Sequence, residues 1–205
     1  MKTITYNSAV AKRYGANGII KAVLLNYIYN YHKLNPRKTA GHPACISLEE
    51  FVYQYQSGDK SLWKRSFIHR ILQDLVKEGH LSKTREGNSP VYTVSPEIAA
   101  LLTDPNPKAV SFDLAMACEY GINIAIVGRF LLHVIDRSPK GEAYNLSVKE
   151  MAEVNRLSPA QIYRAIKVLE DTKMVMRVKS RLKHCARSLS LALVQTKNGQ
   201  KCGSA

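Results

Sequence analysis

Ile46-Ser47-Leu48-Glu49-Glu50-Phe51 and, one hundred positions later, Leu146-Ser147-Val148-Lys149-Glu150-Met151 match almost letter for letter in residue type. Each carries a serine where a helix N-cap belongs and a glutamate three residues on. That is the pattern of a capping box, in which each side chain satisfies the other residue's backbone N–H at a helix start. A short helix therefore follows each serine, and the chain is built on a repeat with a period near 100 residues.

Working outward from this pair, each copy is preceded by a longer apolar segment with helical spacing. In copy one it opens at Gly18-Ile19-Ile20 and runs through Val23, Leu24, Tyr27, Ile28 and Tyr31. In copy two it opens at Gly121-Ile122-Asn123 and runs through Ile124, Val127, Phe130, Leu131, Val134 and Ile135. Polar loops, Leu34 to Ala44 and Arg137 to Tyr144, lead from each long helix to the short one.

A third helix follows. Ile68, Ile71, Leu72 and Leu75 align with Ile162, Ala165, Ile166 and Leu169, the i, i+3, i+4, i+7 stripe of a helix packed on one face. Ser158-Pro159 supplies an N-cap and a first-turn proline. Past the third helix the period changes to two. His80-Leu81-Ser82-Lys83 turns at Gly87-Asn88-Ser89-Pro90 into Val91-Tyr92-Thr93-Val94, and Met174 to Lys179 returns as Leu189, Leu191 and Leu193.

Both copies thus read helix, helix, helix, hairpin. The expected fold is mainly α with small β-hairpin wings, an α+β chain of two tandem winged helix-turn-helix domains. The Asp104-Pro105-Asn106-Pro107 stretch is the natural linker, which sets the expected domains at 1–104 and 105–205.

The 205 residues carry 30 Lys+Arg against 16 Asp+Glu, a formal net charge of +14. A chain this cationic is drawn to polyanions. No apolar run approaches the roughly 18 to 20 residues needed to span a bilayer, and Met1 to Asn7 has no signal-peptide pattern. A cytoplasmic protein with no membrane partner is expected. Cys45, Cys118, Cys185 and Cys202 are widely spaced and read as reduced thiols, Cys118 buried in a helix. His42 with Cys45, or His184 with Cys185, lacks the paired spacing of a zinc site.

In the winged helix arrangement the third helix enters the major groove and the hairpin lies near the backbone. Removing the apolar stripe from copy one leaves Arg65, Ser66, His69, Arg70 and Gln73 on the outer face, with Lys60 and Lys64 near its start and Lys83 and Arg85 on the wing. Copy two leaves Gln161, Tyr163, Arg164 and Lys167. These groups donate to phosphates or to the acceptor edges of guanine and adenine. Thr172 to Ala205 holds eight Lys or Arg and no acid. Arg177, Lys179, Arg181 and Lys183 alternate along the expected strand, so they share one face and suit a phosphate row, with Arg187 beyond them. Copy one has fourteen basic and eight acidic residues, copy two sixteen and eight, which makes copy two the better expected DNA reader.

Nothing in the sequence points to catalysis: it has no phosphate-cradling loop, no His-Glu-x-x-His and no nucleophile elbow. Asp113 and Glu119 are explained by helix starts or solvated faces. No enzyme, cofactor or metal is expected. Trp63 reads as a packing anchor, and of Tyr27, Tyr29 and Tyr31 at least one is a surface residue or lies at a contact between subunits or domains.

Gly15 to Ile28 and Gly121 to Leu132 resemble the first helix of winged helix domains in phage and plasmid replication proteins, of the initiator or replisome-organiser type. Ser66 to Leu81, with Arg70, Leu75 and Glu78-Gly79-His80-Leu81, is similar to the recognition helix and entry strand of those domains. The resemblance covers most of the chain. It implies a sequence-specific double-stranded DNA-binding protein of a plasmid, phage or other mobile element, acting in replication initiation or its control, with a second copy of the chain or replication proteins as further partners. Two alternatives stand beside it: a transcriptional repressor of the element, and an adaptor in which one winged helix serves as a docking or dimer surface.

Overall fold

A computed structural model of the chain describes residues 2–34, 47–86, 89–104, 109–136, 144–177 and 188–193. It is mainly helical with small antiparallel sheets, an α+β protein. The chain divides into two compact units, Met1–Ile122 and Asn123–Ala205.

The first unit opens on strand β1 (Thr3–Asn7) and helix α1 (Ser8–Arg13), followed by a 3-10 turn at Gly15–Asn17 and helix α2 (Gly18–Leu34). Asn7 caps α1 by accepting from the N–H groups of Ala9 and Val10. At Gly18 helix α2 lies tight against α1: a Cβ added there would lie 1.9 Å from the backbone oxygen of Ala11. Helix α2 buries Ile20, Val23, Leu24, Tyr27, Ile28 and Tyr31, the stripe marked by the sequence. Each such side chain, fully buried, contributes about 1.5–3 kcal/mol. Tyr29 is half-buried.

Next come α3 (Leu48–Gln54), β2 (Gln56–Ser57), β3 (Lys60–Ser61) and α4 (Arg65–Lys77). Strands β2 and β3 form a small hairpin, with Ser57 opposite Lys60. The simple turn expected between the second and third helices of copy one is therefore wrong. Its place is taken by this hairpin, and the Leu62 N–H donates to the Tyr55 carbonyl to close it, 2.9 Å apart. Trp63 is buried, its ring 5.5 Å from Tyr55 and 6.2 Å from Phe51, a packing anchor just ahead of α4.

The unit continues with the antiparallel pair β4 (Leu81–Glu86) and β5 (Ser89–Val94), the expected wing, and then α5 (Pro96–Leu102), β6 (Ala109–Asp113) and α6 (Leu114–Tyr120). Strand β6 pairs antiparallel with β1. The expected boundary at 104/105 consequently falls inside the first unit, because β6 and α6 lie beyond it. The pairing also lengthens the repeat. Ile4-Thr5-Tyr6-Asn7 corresponds to Val110-Ser111-Phe112-Asp113, and Tyr14-Gly15 to Tyr120-Gly121. Asn7 and Asp113 cap their helices in the same way, Asp113 accepting from the Met116 N–H at 2.8 Å. Tyr6 and Phe112 are both buried, ring centroids 6.2 Å apart.

The second unit holds most of α7 (Ile122–Asp136), then β7 (Tyr144–Ser147), α8 (Val148–Asn155), α9 (Pro159–Asp171), β8 (Val175–Arg177) and β9 (Ser188–Leu193). Its sheet has the order β7-β9-β8, antiparallel throughout. Strand β7 takes in Tyr144, the last residue of the segment expected as loop, and runs on through Leu146, which pairs with Leu189. Met151, Ile162, Ala165, Ile166, Leu169 and Val175 close the core.

The capping boxes expected at Ser47/Glu50 and Ser147/Glu150 are not formed as such. Ser47 accepts from the Glu50 N–H, but its hydroxyl donates to Glu49 Oε2, and Ser147 makes no side-chain cap bond. The complete box lies at Ser158/Gln161, where both reciprocal bonds are present. Cys118 is only half-buried in α6, less enclosed than expected, and burial pushes its thiol up.

Candidate nucleic-acid interface

Helices α4 and α9 have 13 residues each and the same internal design. Each turns its apolar stripe wholly into the core: Ile68, Ile71, Leu72 and Leu75 in one, Ile162, Ala165, Ile166 and Leu169 in the other. Burying that stripe forces residues at the complementary positions outward. On α4 these are Ser66, His69, Arg70 and Gln73, all exposed and spaced i, i+3, i+4, i+7. On α9 they are Tyr163, Arg164 and Lys167, also exposed. When the buried stripes are aligned, His69 matches Tyr163, Arg70 matches Arg164 and Gln73 matches Lys167.

Local contacts shape the two faces differently. Arg70 holds its guanidinium 5.0 Å from the Phe67 ring centroid, a cation–π contact one turn back. Arg65, at the first position of α4, pairs with Glu49 of α3 at 2.5 Å. The Glu49 carboxyl is held below its usual range by its own backbone N–H and the Ser47 hydroxyl, with Arg65 beside it. Both partners are exposed, and such a pair is readily screened by salt.

Lys60 does not stand with them. It belongs to β3, where it forms an ion pair with Glu119 of α6, and the β2–β3 hairpin carries it off the helix. Lys64 is exposed at the N-cap position of α4. On the first wing, Lys83 and Arg85 are exposed two residues apart on β4 and so share one side of the ribbon. The Lys83 ammonium sits 6.0 Å from the ring of Tyr92, its cross-strand partner.

In the second unit Gln161 is half-buried and its side-chain oxygen accepts from the Ser158 N–H at 2.8 Å, so the cap engages that oxygen. Tyr163 is 52% exposed. The turn joining α8 to α9 is short, Arg156-Leu157-Ser158, with Leu157 buried and Arg156 exposed. Arg177 is the last residue of β8. Lys179, Arg181, Lys183 and Arg187 lie outside the described residues.

The two ion pairs that engage Lys60 and Arg65 had no sequence signal, since the acid in one lies 59 residues away. Among the described residues no cluster of three or more His, Cys, Asp or Glu side chains could hold a metal ion, and no helix is long and apolar enough to cross a membrane. No protein-family model matches the chain, and no curated protein sequence matches it.

Proposed function

We propose that the protein is a sequence-specific duplex DNA-binding protein of a plasmid, phage or other mobile element, built from two winged helix domains and acting in replication initiation or its control. The observation that carries this reading is the agreement between α4 and α9. Two helices in one chain bury the same four positions and expose a polar or cationic side chain at the same three, and each leads into an antiparallel hairpin. In the second unit the order helix, strand, helix, helix, strand, strand with sheet order β7-β9-β8 supports the winged helix reading. Its third helix would enter a major groove, with Arg164 able to form a bidentate contact to guanine.

A second reading is favoured by one feature of the first unit. Its two leading helices are separated by the β2–β3 hairpin, and Lys60 and Arg65 already have carboxylate partners. That unit also suits an adaptor, presenting a docking surface while the second unit binds DNA.

The test is selection of bound sequences from random duplex DNA by the full chain, followed by a salt titration of the enriched site. With about 6 to 10 phosphate contacts, affinity falls about 10³- to 10⁵-fold between 50 and 200 mM salt. No enrichment, together with salt-independent or absent binding, would overturn the proposal. Enrichment unaffected by substitutions on α4 would leave the first unit to the adaptor role. The place of the enriched site relative to an origin or a promoter separates an initiator from a repressor.

A further inference from the structure

Arg156 and Lys173 hold a backbone conformation that L side chains rarely adopt. Their φ angles are +57° and +58°, and among the described residues no other non-glycine residue has a positive φ. They stand at the two ends of α9: Arg156 caps the end of α8 just ahead of Ser158, and Lys173 follows the C-cap Thr172. Both are exposed, so neither is held there by burial. Among the described residues neither forms an ion pair.

The first unit shows what local geometry alone would select. After α4 the N–H groups of Glu78, Gly79 and His80 donate to the carbonyls of Asp74, Val76 and Leu75. After α9 those of Thr172, Lys173 and Met174 donate to Val168, Glu170 and Leu169. The two helix ends are the same motif, and Lys173 occupies the place of Gly79, whose φ is +75°. Arg156 has no such counterpart: Tyr55, which ends α3, has φ −115°, and Gly58 at +56° lies in the β2–β3 turn. Glycine suits such positions because a Cβ crowds the adjacent carbonyl. The second unit sets aside that preference twice, and both times for a long cationic side chain.

We infer that Arg156 and Lys173 are a pair of phosphate contacts bracketing α9, one toward each sugar-phosphate strand beside the groove the helix enters. The dimensions fit: 13 residues at 1.5 Å each make α9 about 20 Å long, while the major groove is about 12 Å wide. A helix laid in that groove brings its ends toward opposite backbones. The inference rests on the DNA-binding reading and adds two contacts to it that lie off the helix face.

Glycine and asparagine substitutions separate charge from backbone, because both residues accept positive φ. Arg156→Gly, Lys173→Gly, Arg156→Asn and Lys173→Asn in the full chain should melt at or above the wild-type temperature. Each should lose about 3- to 10-fold in affinity for the preferred duplex and for random duplex alike, and flatten the log–log salt slope by about 0.9 per lost contact. Arg156→Lys and Lys173→Arg should keep wild-type affinity. Unchanged affinity and slope in the glycine and asparagine variants, at wild-type or higher melting temperature, would overturn the inference. So would a loss confined to the preferred sequence. A wild-type chain that is folded yet binds no duplex at low salt would instead bring down the DNA reading itself.

Discussion

Thr5 and Ser111 face each other at the centre of the β1–β6 pair, their hydroxyl oxygens 2.8 Å apart. Each is the third residue of its five-residue strand, and each fills the same place in its copy of the repeat. Ile4 pairs with Phe112 and Tyr6 with Val110, so the register exchanges equivalent positions about that central pair. The two matching arms of the repeat therefore pair with each other within the first unit.

The pairing sets where the chain can be cut. A fragment of residues 1–122 should give a single cooperative melting transition. A fragment of residues 1–104 lacks β6 and α6, leaves Ile4 and Tyr6 uncovered on one side, and should melt lower or aggregate. Equal melting temperatures for the two fragments would show that β6 contributes nothing to the first unit.

Gly18→Ala tests the approach of α1 to α2. The new methyl would overlap the Ala11 carbonyl, a backbone atom that cannot rotate away. Overpacking of this kind costs about 1–3 kcal/mol and occasionally more, despite the gain in helix propensity expected of alanine. Chemical denaturation reads the loss directly. A variant as stable as wild type would mean that the two helices part without strain.

Alkaline titration should report on Tyr14. Burial pushes its phenol up to about 12, and burial likewise raises Tyr6, Tyr27 and Tyr55. A folded-state value above the unfolded one of about 10 means the native chain holds the proton more tightly. The resulting stability is complete below pH 10 and is lost as pH rises through 12. Tyr14→Phe should remove one tyrosinate step near 12 from the absorbance titration. Its hydroxyl has no hydrogen-bond partner, so the substitution should be close to neutral for stability at pH 7. A step lost near 10 instead would place Tyr14 in water.

Arg164→Ala and the double change Lys83→Ala with Arg85→Ala should behave differently in DNA titrations. Loss of Arg164 should cost about 1–3 kcal/mol on the preferred site, much less on random duplex, and relax the choice at one base pair. Loss of the two wing cations should weaken both duplexes alike and reduce the salt slope by about one unit for each contact. Equal losses for Arg164→Ala on both duplexes would move it to the phosphate class.

The long-period pattern and the buried stripes were legible in the sequence because burial imposes them on residue type. Ile68, Ile71, Leu72 and Leu75 announce a packed helix without any partner being known. The turns at Arg156 and Lys173 were not legible, since neither residue type signals a left-handed backbone. Nor was β6: Val110, Ser111 and Phe112 make too short a run to read alone, and their partner lies at the other end of the first unit. The correspondence of Asn7 with Asp113 was available in principle. It carries the repeat from the helix openings at Gly18 and Gly121 back to Asn7 and Asp113.

The β1–β6 pairing also has a bearing on synthesis. Thr5 leaves the ribosome first, yet its hydroxyl partner is 106 residues downstream. At about 5–20 residues per second, the opening strand waits on the order of 5–20 seconds for β6 to be made. Throughout that interval it is an unpaired edge rich in β-branched and aromatic side chains. Closure of the first unit is thereby timed by translation of the start of the second repeat, and a pause before residue 109 would lengthen the exposure while a faster passage would shorten it.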